Sequence, residues 1–495
     1  MSRVVIRFAF LVAIGASAPL ANALPPQGSV RIEPFNLQTF DGQQHAAELG
    51  KLTVPENRSS KSTRTIEVAF IRLLHRGEQA GAPTIFLPPG PGIPATILGR
   101  VPPYFRLLDR LRDHGDVILL DIRGEGMSSP NLDECPGTAS VSGHVFESFA
   151  TYVQQFAASV GNCAQFWRSK GVDLSAYNNR EIAGDIEALR QALNYERIRL
   201  LGFSAGTDLG VAVLTQHGDT VERAVFAATG APELRPNLPS TYDRQLEKVA
   251  LWHKEGGSDA PDLVALFDHD AQALDAHPAV LTLTAGKEKR PVQVKVRSVA
   301  LKAVVADMLN GSVSLLPALL TSVRDGDNSL LQIFVQKAFT GFHGSMTLIG
   351  RTIDCSAAMP ADRLARVEAE ARASRFGDVR NVHLQPAVCR AALGKTTITD
   401  TVRQPLFSRV PTLFISGAMD ANTPPFYAET LRWAFPNGVH VVVNNGFHET
   451  LPAPEVQDLV VDFFAGRTVA GRTITFDRPR FLSLEEARTA AQRSR

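Results

Sequence analysis

The chain has 495 residues, of which 44% are hydrophobic and 20% are charged. This length and composition are typical of a globular protein with room for a complete enzyme core and an insertion. Lysine and arginine total 51 and aspartate and glutamate total 50, so no excess of positive charge favours nucleic acid or another polyanion as a partner.

The first residues have the pattern of an export signal. Two arginines precede a short apolar stretch from Phe8 to Ile14, and Ala21-Asn22-Ala23 offers small residues for cleavage. The stretch is too short to span a bilayer comfortably, and the nearby sequence has no cysteine for a lipid anchor. We therefore expect a signal peptide at residues 1–23 and a periplasmic or extracellular protein without a stable membrane anchor.

Short, continuously apolar runs recur along the chain. Runs of this kind are typical of strands that are buried on both faces of a parallel sheet. Apolar residues at helical spacing between Arg180 and Tyr195 add the alternation of strand and helix that such a sheet requires. The predicted strands are Ile85–Leu87, Val117–Leu120, Ile198–Leu201, Ala224–Ala227, Leu413–Ile415 and Val441–Val443.

The chain contains four cysteines, which fit an oxidising compartment. Four cysteines allow three connectivities. We favour Cys135 with Cys163 and Cys355 with Cys389, because each pair then lies within one region of the chain. A metal site is the weaker interpretation, since no close C-x-x-C motif or histidine cluster accompanies these residues.

The segment from Arg197 to Gly206 carries the most informative pattern. A short apolar strand runs into a serine flanked by Gly202 and Gly206, and then into an apolar stretch that is compatible with a helix. This layout is a nucleophile elbow, a turn so tight that only small residues fit beside the serine, and it exposes the hydroxyl above the sheet. Ser204 is therefore the predicted nucleophile.

The strand pattern gives way to helices and charged connections between Gly230 and about Pro405. The pattern of buried strands resumes afterwards, which favours an insertion over a separate downstream domain. Such an insertion would cover the carboxyl ends of the strands. We expect the first part of the core at 24–232, a helical lid at 233–405 and the second part of the core at 406–495.

A serine hydroxyl needs a base to take its proton and a carboxylate to orient that base. In folds with this elbow, the order along the chain is Ser, then Asp or Glu, then His, each just past a strand. Asp420 follows the run Thr412–Gly417, and His448 follows the run His440–Asn444. We expect Asp420 and His448 in these roles, because His440 begins its strand and would lie at the opposite edge of the sheet.

The oxyanion that forms on an attacked carbonyl needs two backbone N–H donors. The amide of Ala205, which follows the nucleophile, is one expected donor. The other should come from the proline-rich loop after Thr84–Leu87, where only glycines can donate because proline has no N–H. We choose Gly90, with Gly92 or Ile93 as alternatives.

Taken in order, these segments resemble the prolyl and tripeptidyl aminopeptidases of the α/β-hydrolase superfamily. The resemblance covers most of the mature chain, and Ser204, Asp420 and His448 match the triad of that family. It implies an α/β-hydrolase fold, a mostly parallel sheet flanked by helices, with an inserted helical lid. The other matching segments are Ala47–Pro55 with Thr65–Arg72 as an opening hairpin, the loop Pro88–Gly92, Asp121–Ser128 as D-x-R-G-x-G-x-S, and Tyr177–Leu193.

We expect an exported serine hydrolase that acts through an acyl-enzyme on Ser204, with a peptide or small ester as substrate and without a metal or organic cofactor. The resemblance implies release of residues from peptide N-termini. A carboxylesterase with the same triad is the alternative, and an inactive binding protein with this fold is the third interpretation. Acidic lid residues that could bind a free amine, none of them preferred, include Asp243, Glu247, Asp262 and Asp268.

Overall fold

A computed structural model describes ten stretches of the chain. The expected signal peptide and the expected lid boundaries near residues 233 and 405 lie outside the described residues. The described stretches are 27–77, 80–90, 92–135, 141–230, 234–257, 260–285, 289–344, 348–357, 359–394 and 406–493.

The strands include every apolar run that the sequence predicts as a buried strand. They are β1 (Val30–Gln38), β2 (Gln44–Pro55), β3 (Thr65–Leu73), β4 (Thr84–Leu87), β5 (Val117–Leu120), β6 (Ile198–Phe203), β7 (Val221–Ala227), β8 (Ala279–Ala285), β9 (Arg290–Val296), β10 (Thr412–Gly417), β11 (Gly438–Asn444) and β12 (Ile474–Thr475).

Ten of the described strands form one sheet in the order β1-β2-β3-β5-β4-β6-β7-β10-β11-β12. The pairs β1 with β2, β2 with β3 and β3 with β5 are antiparallel, and from β5 onward every neighbouring pair is parallel. All residues of β4, β5, β6 and β10 are buried, which explains why their sequences are mostly apolar. The predicted fold class, a mostly parallel sheet flanked by helices, is confirmed.

Helices cover both faces of this sheet. On one face α4 and α5 bury Ile182, Leu189 and Val213, and on the other α2 and α15 bury Leu108 and Val460. The helices are α1 (Ala95–Leu98), α2 (Pro102–Leu111), α3 (Phe149–Ser169), α4 (Asn179–Ala192), α5 (Ala205–His217), α6 (Pro239–Glu255), α7 (Leu263–Ala276), α8 (Ser298–Met308), α9 (Leu316–Arg324), α10 (Ser329–Gly344), α11 (Leu348–Ser356), α12 (Ala361–Ala373), α13 (Pro386–Leu393), α14 (Pro425–Arg432), α15 (Pro454–Phe464) and α16 (Leu484–Arg493).

The insertion is not purely helical, contrary to the expectation from its sequence. Strands β8 and β9 pair antiparallel along their whole length. Leu281 and Leu283 are buried and face Val294 and Val292 across the pair, whereas Thr282 is exposed. This alternation of apolar and polar residues is the period of a strand with one buried face, and it was missed because the surrounding sequence is helical.

Other parts of the chain pack with the insertion. Helix α3, which precedes the elbow, packs against α13, and the C-terminal α16 packs against α9 and α10. Cys135 pairs with Cys163 and Cys355 with Cys389, with 5.3 Å between the Cα atoms of each pair. These are the pairs that the sequence analysis favours. Among the described helices, none combines the length and apolar character that crossing a membrane requires.

Candidate active site

Ser204 occupies the turn between β6 and α5 with φ 54° and ψ −120°. A positive φ is uncommon for a residue with a side chain and is typical of strained functional turns. The amide of Ser204 donates to the carbonyl of Ala227 at 2.9 Å, which ties the turn to the neighbouring strand. A Cβ at Gly202 would lie 3.0 Å from the carbonyl oxygen of Gly206, so a larger residue there would press against the backbone of the turn.

The structure brings Ser204, Asp420 and His448 together at the carboxyl ends of their strands. His448 Nε2 lies 2.9 Å from Ser204 Oγ, and His448 Nδ1 lies 2.8 Å from Asp420 Oδ2. Asp420 follows β10 and His448 follows β11, and these strands are parallel neighbours. His440 instead lies within β11, where its Nδ1 is 3.2 Å from Glu429 Oε2. The arrangement fits a nucleophile, its base and the carboxylate that orients the base.

Several hydrogen bonds hold the carboxylate of Asp420. The amides of Asn422 and Thr423 donate to Oδ1 at 2.8 and 2.9 Å, and Thr423 Oγ1 donates to Oδ2 at 2.6 Å. Burial raises the pKa of Asp420, but His448 and the hydrogen bonds of Thr423 outweigh it, so the pKa lies below its usual range. Asp420 is therefore ionised at neutral pH and can stabilise a protonated His448.

Thr423 is a site residue that the sequence analysis missed. Its Oγ1 lies 3.1 Å from His448 Nδ1 as well as next to the carboxylate of Asp420. The available signal was its place three residues after the aspartate, a spacing at which an aspartate side chain accepts from the backbone of a turn.

The loop that carries His448 contacts both the core and the insertion. Tyr104 donates to Glu449 Oε1 at 2.5 Å, and the rings of Phe203 and His448 lie 5.6 Å apart. From the insertion, the carbonyl of Asn310 accepts from the amide of His448 at 3.3 Å. Groups from three separate regions of the chain therefore contact the loop that carries His448.

The loop that begins at Pro88 lies beside the start of α5. Ala205 is the first residue of that helix, where backbone N–H groups have no partner within the helix. Gly92 and Ile93 line a pocket of about 30 Å³ together with Ala205, which is room for a group the size of water. Gly90 is exposed, with φ 133°. Gly92 and Ile93, the two alternatives to Gly90 as oxyanion donor, thus line this pocket. The assignment of Gly90 as a donor stays a prediction.

Three carboxyl groups line the same pocket: Glu125, Asp208 and Asp354. Arg235 lies between two of them, with its Nε 2.9 Å from Asp208 and its Nη1 3.4 Å from Asp354. The side chain of Glu125 is less well satisfied, because Oε1 accepts a long bond of 3.4 Å from the amide of Ile122, and Oε2 has no hydrogen-bond partner among the described residues.

The environment of Glu125 disfavours its charged form. The residue is 1% exposed. Burial, and then the nearby Asp121 and Asp133, raise the pKa of Glu125 well above its usual range, and the amides of Ile122 and Gly92 only partly oppose them. Glu125 is therefore a buried acid in the pocket that Ala205 lines, and a cation in this pocket would favour its ionised form.

The acidic lid residues considered in the sequence analysis are engaged elsewhere. Asp243, Glu247 and Asp268 surround Arg375 at 3.9, 3.6 and 3.1 Å. The carboxylate of Asp262 accepts from the first amides of α7 and caps that helix. None of these four lines the pocket beside Ala205. Among the described residues, no group of three or more His, Cys, Asp or Glu side chains is placed to hold a metal ion.

The fold and the arrangement around Ser204 define a hydrolase of the α/β type. The chain has the α/β-hydrolase fold: residues 86–304 match the family described as α/β hydrolase fold, and residues 377–472 match the family described as TAP-like protein. Ser204 lies in the first match, and Asp420 and His448 lie in the second. The resemblance to an α/β-hydrolase peptidase family is thereby confirmed.

Individual relatives are distant. Serine protease Hip1 of Mycobacterium tuberculosis and of Mycobacterium bovis is 25% identical over 193 residues, which is 38% of this chain and 36% of the relative's own length. Solved structures with similar folds include an esterase from Thermogutta terrifontis, at 16% identity and TM-score 0.36, covering 84% of this chain and 98% of that one. Proline iminopeptidase of Mycobacterium smegmatis has 16% identity and TM-score 0.37 with the same two coverages.

Proposed function

We propose that this hydrolase acts through an acyl-enzyme on Ser204. The observation that carries the proposal is the contact of His448 with Ser204 Oγ at 2.9 Å and with Asp420 at 2.8 Å. His448 takes the Ser204 proton as Oγ bonds to the substrate carbonyl, and the amides of Ala205 and Gly90 donate to the resulting oxyanion. His448 then protonates the leaving group. In the second half of the reaction, His448 deprotonates a water molecule that attacks the acyl carbonyl, and the acyl group leaves as Ser204 Oγ regains its proton.

We infer that the acyl group carries a free N-terminal amine, which makes the enzyme an aminopeptidase. A desolvated ammonium needs carboxylate or carbonyl partners, because its burial is otherwise costly. The pocket beside Ala205 supplies three carboxyl groups, and the main charges acting on Glu125 are the carboxyl groups of Asp121 and Asp133. An ammonium group there would gain a partner and would favour ionised Glu125. The TAP-like match supports the same inference.

Export is part of the proposal. Both cysteine pairs are joined in the structure, and disulfides persist in oxidising compartments. With the signal pattern at residues 1–23, this supports a periplasmic or extracellular enzyme. The mass of the protein purified from its native host should match a chain that begins near Leu24, and a retained Met1 segment would contradict export with cleavage.

Two experiments test the catalytic part. A fluorophosphonate probe should label the wild type and not Ser204→Ala, whereas an inactive binding protein would not be labelled at all. Acetylating the N-terminus of a peptide substrate should lower kcat/KM by at least about tenfold, which corresponds to about 1.4 kcal/mol of transition-state binding. An enzyme that cleaves blocked and free peptides equally, and prefers simple esters to both, would be a carboxylesterase with the same nucleophile.

The role of Glu125 has its own test. Glu125→Gln should reduce the preference for the free amine over the acetylated substrate, because the neutral amide offers no charge to the ammonium. The matched control is Glu134→Gln, an exposed position in the same region of the chain. If both variants keep the wild-type preference, Glu125 is not the amine partner.

A further inference from the structure

A second cavity, of about 370 Å³, lies between α3 and the insertion. Its walls come from α3, α8, α10, α11 and the short 3-10 helix Val379–Leu384. Tyr152, Phe156 and Phe334 give it aromatic surfaces. This volume is in the range of pockets that bind small organic molecules. It is also more than ten times that of the pocket beside Ala205, which is about 30 Å³.

The polar groups of this cavity are mostly cationic. Arg351, Arg380 and Lys337 line it, and Asp307 is the one acidic residue among the described residues that line it. The side chain of Asp307 is 67% exposed and its carboxylate lies 3.5 Å from Arg380, so it neutralises the cavity only weakly. Burial, together with Arg351, lowers the pKa of His383 to about 3, which leaves that imidazole neutral at neutral pH. The cavity therefore carries an excess of positive charge.

Arg351 has unused hydrogen-bonding capacity. Its Nη2 donates to Asp354 at 2.9 Å, but its Nε is buried and has no partner among the described residues. The side chain is only 13% exposed. A buried donor without an acceptor costs free energy that an incoming acceptor can recover. The guanidinium group is suited to a carboxylate, which can accept two of its N–H groups at once.

Contacts connect the cavity to the candidate active site along two routes. Arg380 Nε donates to Tyr242 Oη at 3.3 Å, and Tyr242 Oη donates to Asn422 Oδ1 at 3.2 Å. The amide of Asn422 in turn donates to Asp420.

On the other route, Asp354 contacts Arg351 at the cavity and also lines the pocket beside Ala205. The carboxyl-lined pocket beside Ala205 and the cationic cavity therefore share a wall at the Asp354–Arg351 pair.

We propose that this cationic cavity binds a carboxylate group of the substrate, with Arg351 and Arg380 as its partners. The inference rests on the proposed peptidase function, in which a substrate offers two sources of carboxylate: the C-terminus of a short peptide and an acidic side chain. The aromatic walls fit the carbon skeleton that bears the carboxylate. The preferred substrates are then short peptides with a free C-terminus, or peptides with an acidic residue.

Two matched substrate pairs distinguish these sources in the full chain. The first pair is trialanine and trialanine amide, and the second is glutamyl and glutaminyl p-nitroanilide. We expect kcat/KM to favour the carboxylate member of one pair by at least about tenfold. Arg380→Gln should bring that ratio close to one, and Arg380→Lys should restore part of it. Arg366→Gln is the control, because Arg366 is exposed and pairs with Glu370 on α12, and it should keep the wild-type ratio.

Direct binding separates this proposal from the proposed function. Succinate should bind to Ser204→Ala by calorimetry and should bind at least about tenfold more weakly after the further change Arg380→Gln. Lys337→Gln, at an exposed position on the cavity rim, is the second variant if Arg380→Gln does not fold. If succinate binding depends on Arg380 but no peptide is cleaved, the carboxylate-binding proposal stands and the aminopeptidase proposal is wrong. Equal rates within both pairs, or a preference that survives Arg380→Gln, would overturn the cavity proposal.

Discussion

A Cβ added at Gly206 would lie 2.0 Å from the carbonyl oxygen of Leu87. The first turn of α5 and the end of β4 are therefore in direct backbone contact. Leu87 leads into the proline-rich loop that is expected to supply an oxyanion donor, and Gly206 lies two residues after Ser204. This contact packs the turn that carries the candidate nucleophile against the start of the loop.

The first prediction follows from this contact. Gly206→Ala should push the loop away from Ser204 and lower kcat/KM on the order of 10²-fold, which is typical for the loss of one oxyanion donor. Gly218→Ala, at the other end of α5, is the control, because a Cβ there meets nothing within 4 Å. The Tm of each variant should be measured together with its kinetics, so that a loss of folding is separated from a loss of activity. Wild-type activity in Gly206→Ala would show that the loop does not depend on this contact.

The positions of Asp420 and His448 can be predicted from the sequence because they depend on local patterns. Each follows a short apolar run, and the carboxyl ends of parallel neighbours meet at one edge of a sheet. The pairing of β8 with β9 was also present in the sequence as alternation of apolar and polar residues, but the run is short and lies among helices. A pattern of that length is hard to separate from helical sequence by periodicity alone.

The cationic cavity and the position of Glu125 could not be read from the sequence. Arg351 and Arg380 come from different elements of the insertion, and the aromatic wall that includes Tyr152 comes from α3, which precedes the elbow. No local pattern relates residues so far apart in the chain. Glu125 stands in a segment that resembles a family motif, but its burial results from packing against a loop from another part of the core.

Thr423 gives the second prediction. Thr423→Val keeps the shape of the side chain and removes the hydroxyl that donates to Asp420 Oδ2. A hydrogen bond to a charged group contributes about 1.5 to 3 kcal/mol, so kcat should fall by roughly 10 to 10²-fold while KM changes little. Thr423→Ser retains the hydroxyl and should recover most of the activity. Equal losses in both variants would assign Thr423 a packing role only.

The third prediction concerns the cysteine pairs, which close loops of 28 and 34 residues. In the chain-entropy description, each pair stabilises the fold by roughly 3 to 4 kcal/mol. Replacing both cysteines of one pair by serine should lower the free energy of unfolding by about that amount in urea titrations. Alkylation without prior reduction should add no mass to the native protein. Four alkylated cysteines under those conditions would contradict both pairs.

The fourth prediction is a pH dependence of stability at Asp133. Burial raises the pKa of this carboxyl to about 7, and the amides of Ile349 and Leu348 oppose the shift only in part. The unfolded chain has a pKa of about 3.9 at an aspartate, so the folded state binds the proton more tightly. The stability that this proton contributes is present in full below about pH 4 and is lost as the pH rises through about 7.

Asp133→Asn cannot ionise and should lose this dependence. Its Tm should therefore rise relative to that of the wild type between about pH 4 and pH 7, the range in which the unfolded chain has lost this proton and the folded wild type still holds it. Asp477→Asn, at an exposed position, controls for the loss of one negative charge. Differential scanning calorimetry across this range measures the difference directly. If the Tm values of wild type and Asp133→Asn change in parallel with pH, the carboxyl of Asp133 does not hold a proton in the folded state.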